Sequence, residues 1–163
     1  MYDKKLWWTG SKGEGYVVVQ FILFALVAFG PKRVGTMPGW SAPWSTIGVV
    51  VGLLLGLLGG LLALAGVMSL GTNLTAVPHP KESATLVQTG AYRFVRHPIY
   101  SGIILAALGW AFLVNGTLTF LYVLILFLFF DVKSRREEQW LRQKYPAYEA
   151  YQKRVKKLIP SLY

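Results

Sequence analysis

Two long apolar segments without a charged side chain constrain this sequence more than any other feature. They are residues 47–70 and residues 99–130. A water-soluble domain of 163 residues has no core large enough to bury both, whereas a hydrocarbon layer about 30 Å thick accommodates such segments as helices. The composition agrees, since 54% of residues are hydrophobic and only 15% are charged. The sequence therefore predicts an all-α integral membrane protein.

The apolar segments predict about four membrane-spanning helices. Residues 16–29 supply a short first helix, and residues 47–70 would rise roughly 36 Å, enough to span with tilt. The glycines of this second segment suit close helix packing and indicate the central helix of the bundle. Residues 99–130 are too long for one crossing and are interrupted by Asn115-Gly116, a strong turn signal. This last segment therefore predicts a hairpin of two short helices.

The basic residues indicate how the spans are oriented. All but two of the 17 lysine and arginine residues lie in the amino-terminal segment, in residues 71–98 or in residues 131–163. Because cytoplasmic segments carry the basic excess, both termini are expected in the cytoplasm. We expect residues 1–163 to form one membrane domain, in the cell membrane if the source is bacterial or archaeal. Residues 71–98 and 131–163 would then form a cytoplasmic site for polar molecules.

The carboxy-terminal segment predicts cytoplasmic helices. Residues 131–141 continue the last span as a helix, which Pro146 ends near Tyr145. A short amphipathic helix follows, with Tyr148 and Tyr151 on one face. The basic residues near its end are Lys153, Arg154, Lys156 and Lys157. Because these charges lie beside membrane spans and lack a recognition motif, we expect contact with anionic lipid head groups and not with nucleic acid.

A dense group of polar and aromatic residues precedes the third span. Pro98 disfavours helix at His97 and suits the first turn of the helix that follows. Free amides at this helix start, together with Arg96, favour an anion. The alternative is that Arg96 and Tyr100 are interfacial residues that anchor the helix in the membrane. The sequence has no cysteine and one further histidine, His79, so it predicts no metal site.

Two adjacent glutamates follow the last span. Helical spacing places Glu137 on the face of Leu141, whereas Glu138 lies one position away. At most one of the two carboxylates is therefore expected to point into a site, and the other is expected to pair with Arg135, Arg142 or solvent. A solvated charged helix is the alternative for this segment.

Together these motifs resemble the isoprenylcysteine carboxyl methyltransferase and phospholipid methyltransferase superfamily. The order and spacing of the motifs match as well as the residue types, over roughly residues 70–160. The motifs are Leu86-Val87-(x)2-Gly90-x-Tyr92-Arg93-(x)2-Arg96-His97-Pro98-x-Tyr100-x-Gly102, then a hydrophobic hairpin, Glu137-Glu138-(x)2-Leu141 and a basic, tyrosine-rich tail ending in Ile159-Pro160.

The resemblance implies a small membrane enzyme that binds S-adenosylmethionine on its cytoplasmic side and methylates a lipophilic acceptor from the bilayer. Glu137 would be the acidic cofactor contact, with Glu138 second. By matching position, and with Arg96 added for the cofactor carboxylate, the implied cofactor-binding residues are Thr85, Leu86, Val87, Tyr92, Arg96, His97, Pro98, Tyr100, Glu137 and Glu138. No catalytic residue is assigned, because methyl transfer depends mainly on alignment and electrostatics.

Position 133 departs from the family pattern. The carboxyl methyltransferases have an arginine one helical turn before the matching glutamate, associated with the prenylcysteine carboxylate, and this chain has Lys133. Lysine keeps the charge and loses the bidentate fork. The resemblance therefore implies that Lys133 binds an acceptor whose reacting group is a carboxylate, an amine or a thiol. The alternatives are a membrane reductase with a nicotinamide cofactor in a related site and a non-catalytic membrane scaffold.

Overall fold

A computed structural model describes residues 13–163, and the chain is all-helical over that range. The helices of five or more residues are α1 (Glu14–Phe29), α2 (Trp44–Leu70), α3 (Pro98–Leu113), α4 (Thr117–Lys144) and α5 (Tyr148–Arg154). The apolar helices α2 and α4 are long enough to cross a membrane, and α1 and α3 are shorter apolar helices. The predicted all-α membrane fold is confirmed. The lysines of the amino-terminal segment, Lys4, Lys5 and Lys12, lie outside the described range.

The turn predicted at Asn115-Gly116 joins α3 to α4. Asn115 adopts a positive φ of 49°, a conformation that asparagine tolerates better than most residues. The helix α4 then runs without interruption from this turn past Phe130 to Lys144. Its apolar half and its charged half are therefore one rigid element. It carries Lys133 one turn before the adjacent residues Glu137 and Glu138.

Helix α2 packs closely against α3 through glycines. A Cβ atom added at Gly59 would lie 2.5 Å from the Ala106 backbone nitrogen, and one added at Gly102 would lie 2.5 Å from the Ala63 nitrogen. The opposite face of α2 carries exposed leucines, among them Leu57 and Leu61. The expectation that α2 is the central helix is wrong, because within residues 13–163 it packs mainly against α3, and its other face has the composition of a lipid-facing surface.

Two neighbouring glycines of α2 give a direct test of this packing. Gly59→Ala places a methyl group against the α3 backbone, and we expect it to lower the free energy of unfolding by about 1–3 kcal/mol. A Cβ atom at Gly60 meets no atom within 4 Å, so Gly60→Ala should be neutral or stabilising because alanine favours helix. Unfolding in detergent micelles by SDS titration measures both variants. Equal effects would contradict the close approach of α2 and α3.

A second contact region holds α1, α3 and α4 together. Its buried residues are Leu23, Val27, Ala107, Ala111, Val123, Leu126 and Phe130. Trp110 also donates from Nε1 to the Val27 carbonyl oxygen over 3.1 Å. This core fixes α4 beside the start of α3, so the charged half of α4 lies against the residues around His97.

The carboxy-terminal segment returns to the start of α3. The amides of Arg96 and His97 donate to the carbonyl oxygens of Lys156 and Lys157 over 2.8 and 3.1 Å. The Ser101 hydroxyl donates to the Leu158 carbonyl oxygen over 2.6 Å. These bonds place α5 beside the motif that precedes α3.

One of the basic residues expected at lipid head groups has an internal role. Lys157 is buried, and its ammonium group binds the Asp131 carboxylate. Asp131 also accepts from the Tyr163 hydroxyl over 2.7 Å. The expectation for Lys157 is therefore wrong, because a carboxylate at the end of the apolar half of α4 requires a buried cation.

Candidate functional site

A cavity of about 310 Å³ lies where the start of α3, the charged half of α4, α5 and the segment after α2 converge. Gln20 of α1 closes one side of it. Of the eleven residues predicted for the site, those that line the cavity are Thr85, Leu86, Val87, Tyr92, Arg96, His97, Tyr100, Lys133 and Glu137. Pro98 and Glu138 lie outside the lining. Two groups of residues that are about 40 positions apart in the sequence, residues 85–100 and 133–137, thus line the same cavity.

The segment that carries Thr85, Leu86 and Val87 has no regular secondary structure and is fixed by side chains. Thr85 donates its amide hydrogen to Asn73 Oδ1 over 3.2 Å. Tyr145, at the end of α4, donates its hydroxyl to the Ala84 carbonyl oxygen over 2.5 Å. The apolar side chains of this segment therefore form one wall of the cavity.

Glu137 presents its carboxylate to the cavity. The Tyr100 hydroxyl donates to Glu137 Oε2 over 2.8 Å, and His97 Nδ1 lies 3.8 Å from the same oxygen. About a quarter of the Glu137 side chain (25%) is exposed. Among the described residues, Oε1 of Glu137 has no hydrogen-bond partner, so this oxygen is available to accept from a ligand.

Glu138 has a different environment from its neighbour. Its Oε1 accepts from Arg96 Nε over 2.9 Å and from His97 Nε2 over 3.0 Å, and its Oε2 accepts from Gln152 Nε2 over 2.9 Å. Only 4% of the residue is exposed. Because an ionised carboxylate only accepts, His97 Nε2 must carry a proton. Glu138 therefore orients Arg96 and His97 and does not reach the cavity itself.

Arg96 is largely committed to internal partners. Besides Glu138, its guanidinium group binds the carbonyl oxygens of Gln152 and Val155 through Nη1. Nη2 is the guanidinium nitrogen that lacks a hydrogen-bond partner in the described part of the chain. Arg96 thus has one group left for the anion that the sequence analysis assigned to it.

Pro98 packs away from the cavity. It is fully buried, and a Cβ atom added at Gly66 of α2 would lie 3.1 Å from Pro98 Cγ. Pro98 begins α3 at a position where its missing amide hydrogen costs nothing. Its contribution to the site is to start the helix that carries Tyr100 directly after His97.

A stack of three rings supports the middle of the cavity. The His97 and Tyr100 rings are 5.4 Å apart and nearly parallel, and Tyr100 stacks on Phe130 at 4.5 Å. Phe130 is fully buried in the core. The stack therefore connects the Glu137 contact of Tyr100 to the rigid part of the bundle.

Lys133 lies on the other side of Tyr100. Its Nζ donates to Gln20 Oε1 over 2.5 Å and to the Ala76 carbonyl oxygen over 3.1 Å, and it lies 5.2 Å from the Tyr100 ring centroid. The residue is 1% exposed. No carboxylate lies within 4.0 Å of Lys133 Nζ among residues 13–163, and the hydrogen bonds of this buried ammonium group go to the two neutral oxygen atoms of Gln20 and Ala76.

The tyrosines around the Glu137 side of the cavity are neutral hydrogen-bonding groups. Burial, together with the Glu137 carboxylate, raises the pKa of Tyr92 well above its usual value. Burial also raises the pKa of Tyr151 to about 12. Both phenols therefore stay protonated at physiological pH, and their hydroxyl groups remain donors.

The sequence analysis missed several residues of the cavity. Gln20 belongs to the first apolar helix, and Tyr145, Tyr148 and Tyr151 belong to the carboxy-terminal helices. An amide side chain in the otherwise apolar segment 16–29 was the available signal for Gln20, because such a group in a membrane helix requires a polar partner. The tyrosines gave no comparable signal, since aromatic residues also form membrane-interface belts.

Comparison with known proteins gives a match over most of the residues that line the cavity. A family model described as phospholipid methyltransferase matches residues 47–148, which is more than half of the chain. Proteins named probable protein-S-isoprenylcysteine O-methyltransferase from two subspecies of Oryza sativa are 35% identical over 98 residues, covering 58% of this chain and 51% of theirs. The protein-S-isoprenylcysteine O-methyltransferase of Schizosaccharomyces pombe is 40% identical over 77 residues, covering 46% of this chain and 33% of its own. The matched part thus spans between about a third and about half of the length of these relatives.

Proposed function

Since this chain belongs to the phospholipid methyltransferase family, we propose that it is a membrane-embedded, S-adenosylmethionine-dependent methyltransferase that acts on a lipophilic acceptor. The observation that carries the proposal is the Glu137 carboxylate, which faces the cavity with one oxygen bound by Tyr100 and the other available. Residues 71–98 and 131–163 would form the cofactor site together, on the cytoplasmic side.

The residues present fit the chemical groups of this methyl donor. Glu137 can accept from ribose hydroxyls or from the ammonium group, and a charge-assisted bond of this kind is strong where water is excluded. Leu86 and Val87 offer an apolar wall to the adenine ring, and the volume of about 310 Å³ lies at the lower end of small-molecule sites. The face of Tyr100 offers a surface that attracts a cation such as a sulfonium.

When bound, S-adenosylmethionine would supply a methyl group attached to a positively charged sulfur. A lone pair of the acceptor would attack the methyl carbon in line with the carbon–sulfur bond, and the sulfur would leave as a neutral thioether. The protein's contribution is alignment and exclusion of water. The ring stack of His97, Tyr100 and Phe130 holds the Glu137 contact at a fixed position. Leu86 and Val87 line one wall of the site. No covalent protein nucleophile is needed for this displacement.

Lys133 is the proposed binding group for the polar end of the acceptor. Among residues 13–163 no carboxylate lies within 4.0 Å of its ammonium group, which donates to Gln20 of the apolar helix α1. Ile103 of α3 lines the same cavity. A lipophilic molecule that enters from the bilayer would thus meet apolar helix surface first and a buried cation last. An electron-rich acceptor group is stabilised next to this cation, whereas a protonated amine is disfavoured.

Calorimetry on the purified chain in detergent tests the proposal. Saturable binding of S-adenosylmethionine and S-adenosylhomocysteine, without binding of NADPH, is the expected result and would justify a screen of lipophilic acceptors. Binding of NADPH alone would assign the site to a reductase. Absence of binding to folded protein would favour a non-catalytic scaffold.

The role of Lys133 gives a separate prediction. Lys133→Met keeps the length of the side chain and removes the charge, so we expect the acceptor kcat/KM to fall by roughly tenfold or more while the Kd for S-adenosylhomocysteine changes less than about threefold. The measurement combines transfer of a labelled methyl group with calorimetry. Lys153→Met, at an exposed position of α5, is the matched control. Equal losses of cofactor affinity and acceptor use would place Lys133 in the cofactor site.

A further inference from the structure

The hydroxyl group of Tyr148 is a buried polar group without a partner. Tyr148 is 1% exposed, and its oxygen has no hydrogen-bond partner in the described part of the chain. Leaving a buried hydroxyl unpaired costs about 1–3 kcal/mol. Almost all buried polar groups in native proteins are paired, so an exception in a cavity wall points to a missing partner.

Tyr148 differs in this respect from three other tyrosines that line the cavity. Three of them donate to internal oxygen atoms: Tyr100 to Glu137, Tyr145 to the Ala84 carbonyl and Tyr151 to the Tyr92 carbonyl, over 2.8, 2.5 and 2.6 Å. Tyr148 lines the same cavity and has none of these contacts. The three paired hydroxyl groups have protein partners, whereas the Tyr148 hydroxyl has none among residues 13–163. A molecule bound in the cavity that Tyr148 lines is therefore a candidate partner.

The surroundings of Tyr148 define which group it can bind. Burial, followed by the nearby Glu138 carboxylate, raises the pKa of Tyr148 well above its usual value, although Arg96 opposes this effect. The phenol therefore stays neutral and keeps its proton to donate. The neighbouring charges belong to Arg96, Glu138 and Glu137, which places Tyr148 on the Glu137 side of the cavity.

We propose that the Tyr148 hydroxyl binds the methyl donor directly, by donating a hydrogen bond to one of its oxygen atoms. This inference rests on the proposed function, which places the donor beside Glu137 and the acceptor beside Lys133. The oxygen belongs either to the carboxylate of the donor, next to the remaining guanidinium nitrogen of Arg96, or to a ribose hydroxyl. Both accept a hydrogen bond from a neutral phenol.

Tyr148→Phe removes the oxygen and keeps the buried ring. We expect it to weaken binding of S-adenosylhomocysteine by roughly five- to twentyfold, the loss of one hydrogen bond. Without ligand, the variant should unfold at the same temperature as the wild type or higher, because an unpaired polar atom has been removed. Tyr151→Phe is the matched control for stability, since it breaks the bond to the Tyr92 carbonyl and should lower the unfolding temperature of the ligand-free protein.

The experiment measures ligand affinity by calorimetry and the unfolding temperature of the full chain in detergent. A second titration with 5′-methylthioadenosine, which lacks the amino-acid part of the donor, identifies the oxygen: loss of affinity for both ligands indicates the ribose, and loss for S-adenosylhomocysteine alone indicates the carboxylate. Either outcome supports the proposal.

Two results would overturn the inference alone. The first is an unchanged affinity of Tyr148→Phe in a chain whose wild type binds S-adenosylhomocysteine. The second is a loss of ligand-free stability as large as that of Tyr151→Phe, which would reveal an internal partner for the hydroxyl. A folded wild-type chain that binds no S-adenosylhomocysteine would overturn the proposed function and this inference with it.

Discussion

Glu137→Gln is expected to weaken binding of S-adenosylhomocysteine by roughly ten- to a hundredfold, with little change in the stability of the ligand-free protein. The substitution keeps the shape of the side chain and an oxygen that accepts from Tyr100, and it removes the negative charge. A hydrogen bond to a charged group contributes about 1.5–3 kcal/mol, which corresponds to this range of affinity. Glu137 is also partly exposed, so the fold depends little on its charge. Calorimetry and thermal unfolding in detergent measure the two quantities.

The control for this prediction is Glu149→Gln, because Glu149 is an exposed glutamate on the neighbouring helix α5. It changes the net charge equally and should leave the affinity as it is. An unchanged affinity of Glu137→Gln would remove Glu137 from the cofactor site. A large loss of ligand-free stability would instead assign it a structural role.

The fold was readable from the sequence because hydrophobicity and turn chemistry are local properties. The charge-free segment 47–70 became α2 (Trp44–Leu70), and Asn115-Gly116 became the turn between α3 and α4. Which helix packs on which is a tertiary property, and the prediction that α2 is the central helix was wrong. The glycines of α2 indicated close packing correctly, but they do not say how many partners a helix has.

The residues of the candidate site could be predicted from the sequence where they lie in two compact motifs. Nine of the predicted residues line one cavity, because the start of α3 and the charged half of α4 are adjacent in the bundle. Gln20 reaches the cavity from more than 100 residues away in the chain, a distance that no local pattern spans. Lys157 was misassigned for the same reason, because its partner Asp131 becomes visible only once the chain has folded back.

The two adjacent glutamates show where sequence reasoning stops. Helical spacing places Glu137 and Glu138 on different faces of α4, so at most one carboxylate was expected in the site, and the other was expected to pair with Arg135, Arg142 or solvent. The spacing alone does not specify the neighbours of each face. In the structure Tyr100 contacts Glu137, whereas Arg96 and His97 bond to Glu138. The same residue type therefore serves the ligand at one position and the fold at the next.

Glu138→Ala is accordingly expected to lower the free energy of unfolding by about 3–5 kcal/mol, the cost of removing one partner from a buried ion pair. The carboxylate binds Arg96, His97 and Gln152, and the Arg96 guanidinium would remain buried without a counter-charge. Unfolding by SDS titration in detergent micelles measures the change. Glu149→Ala, at an exposed position, should stay within about 0.5 kcal/mol of the wild type.

A double-mutant cycle separates this ion pair from a general packing defect. In an Arg96→Met background, Glu138→Ala leaves no unpaired guanidinium, so its cost should fall by about 1–3 kcal/mol relative to the wild-type background. Arg96→Met alone also loses the bonds to the Gln152 and Val155 carbonyl oxygens, a loss that is common to both variants in that background and cancels in the cycle. Equal costs in the two backgrounds would show that the Arg96–Glu138 pair contributes nothing to stability, and the effect of Glu138→Ala would then be assigned to the bonds from His97 and Gln152.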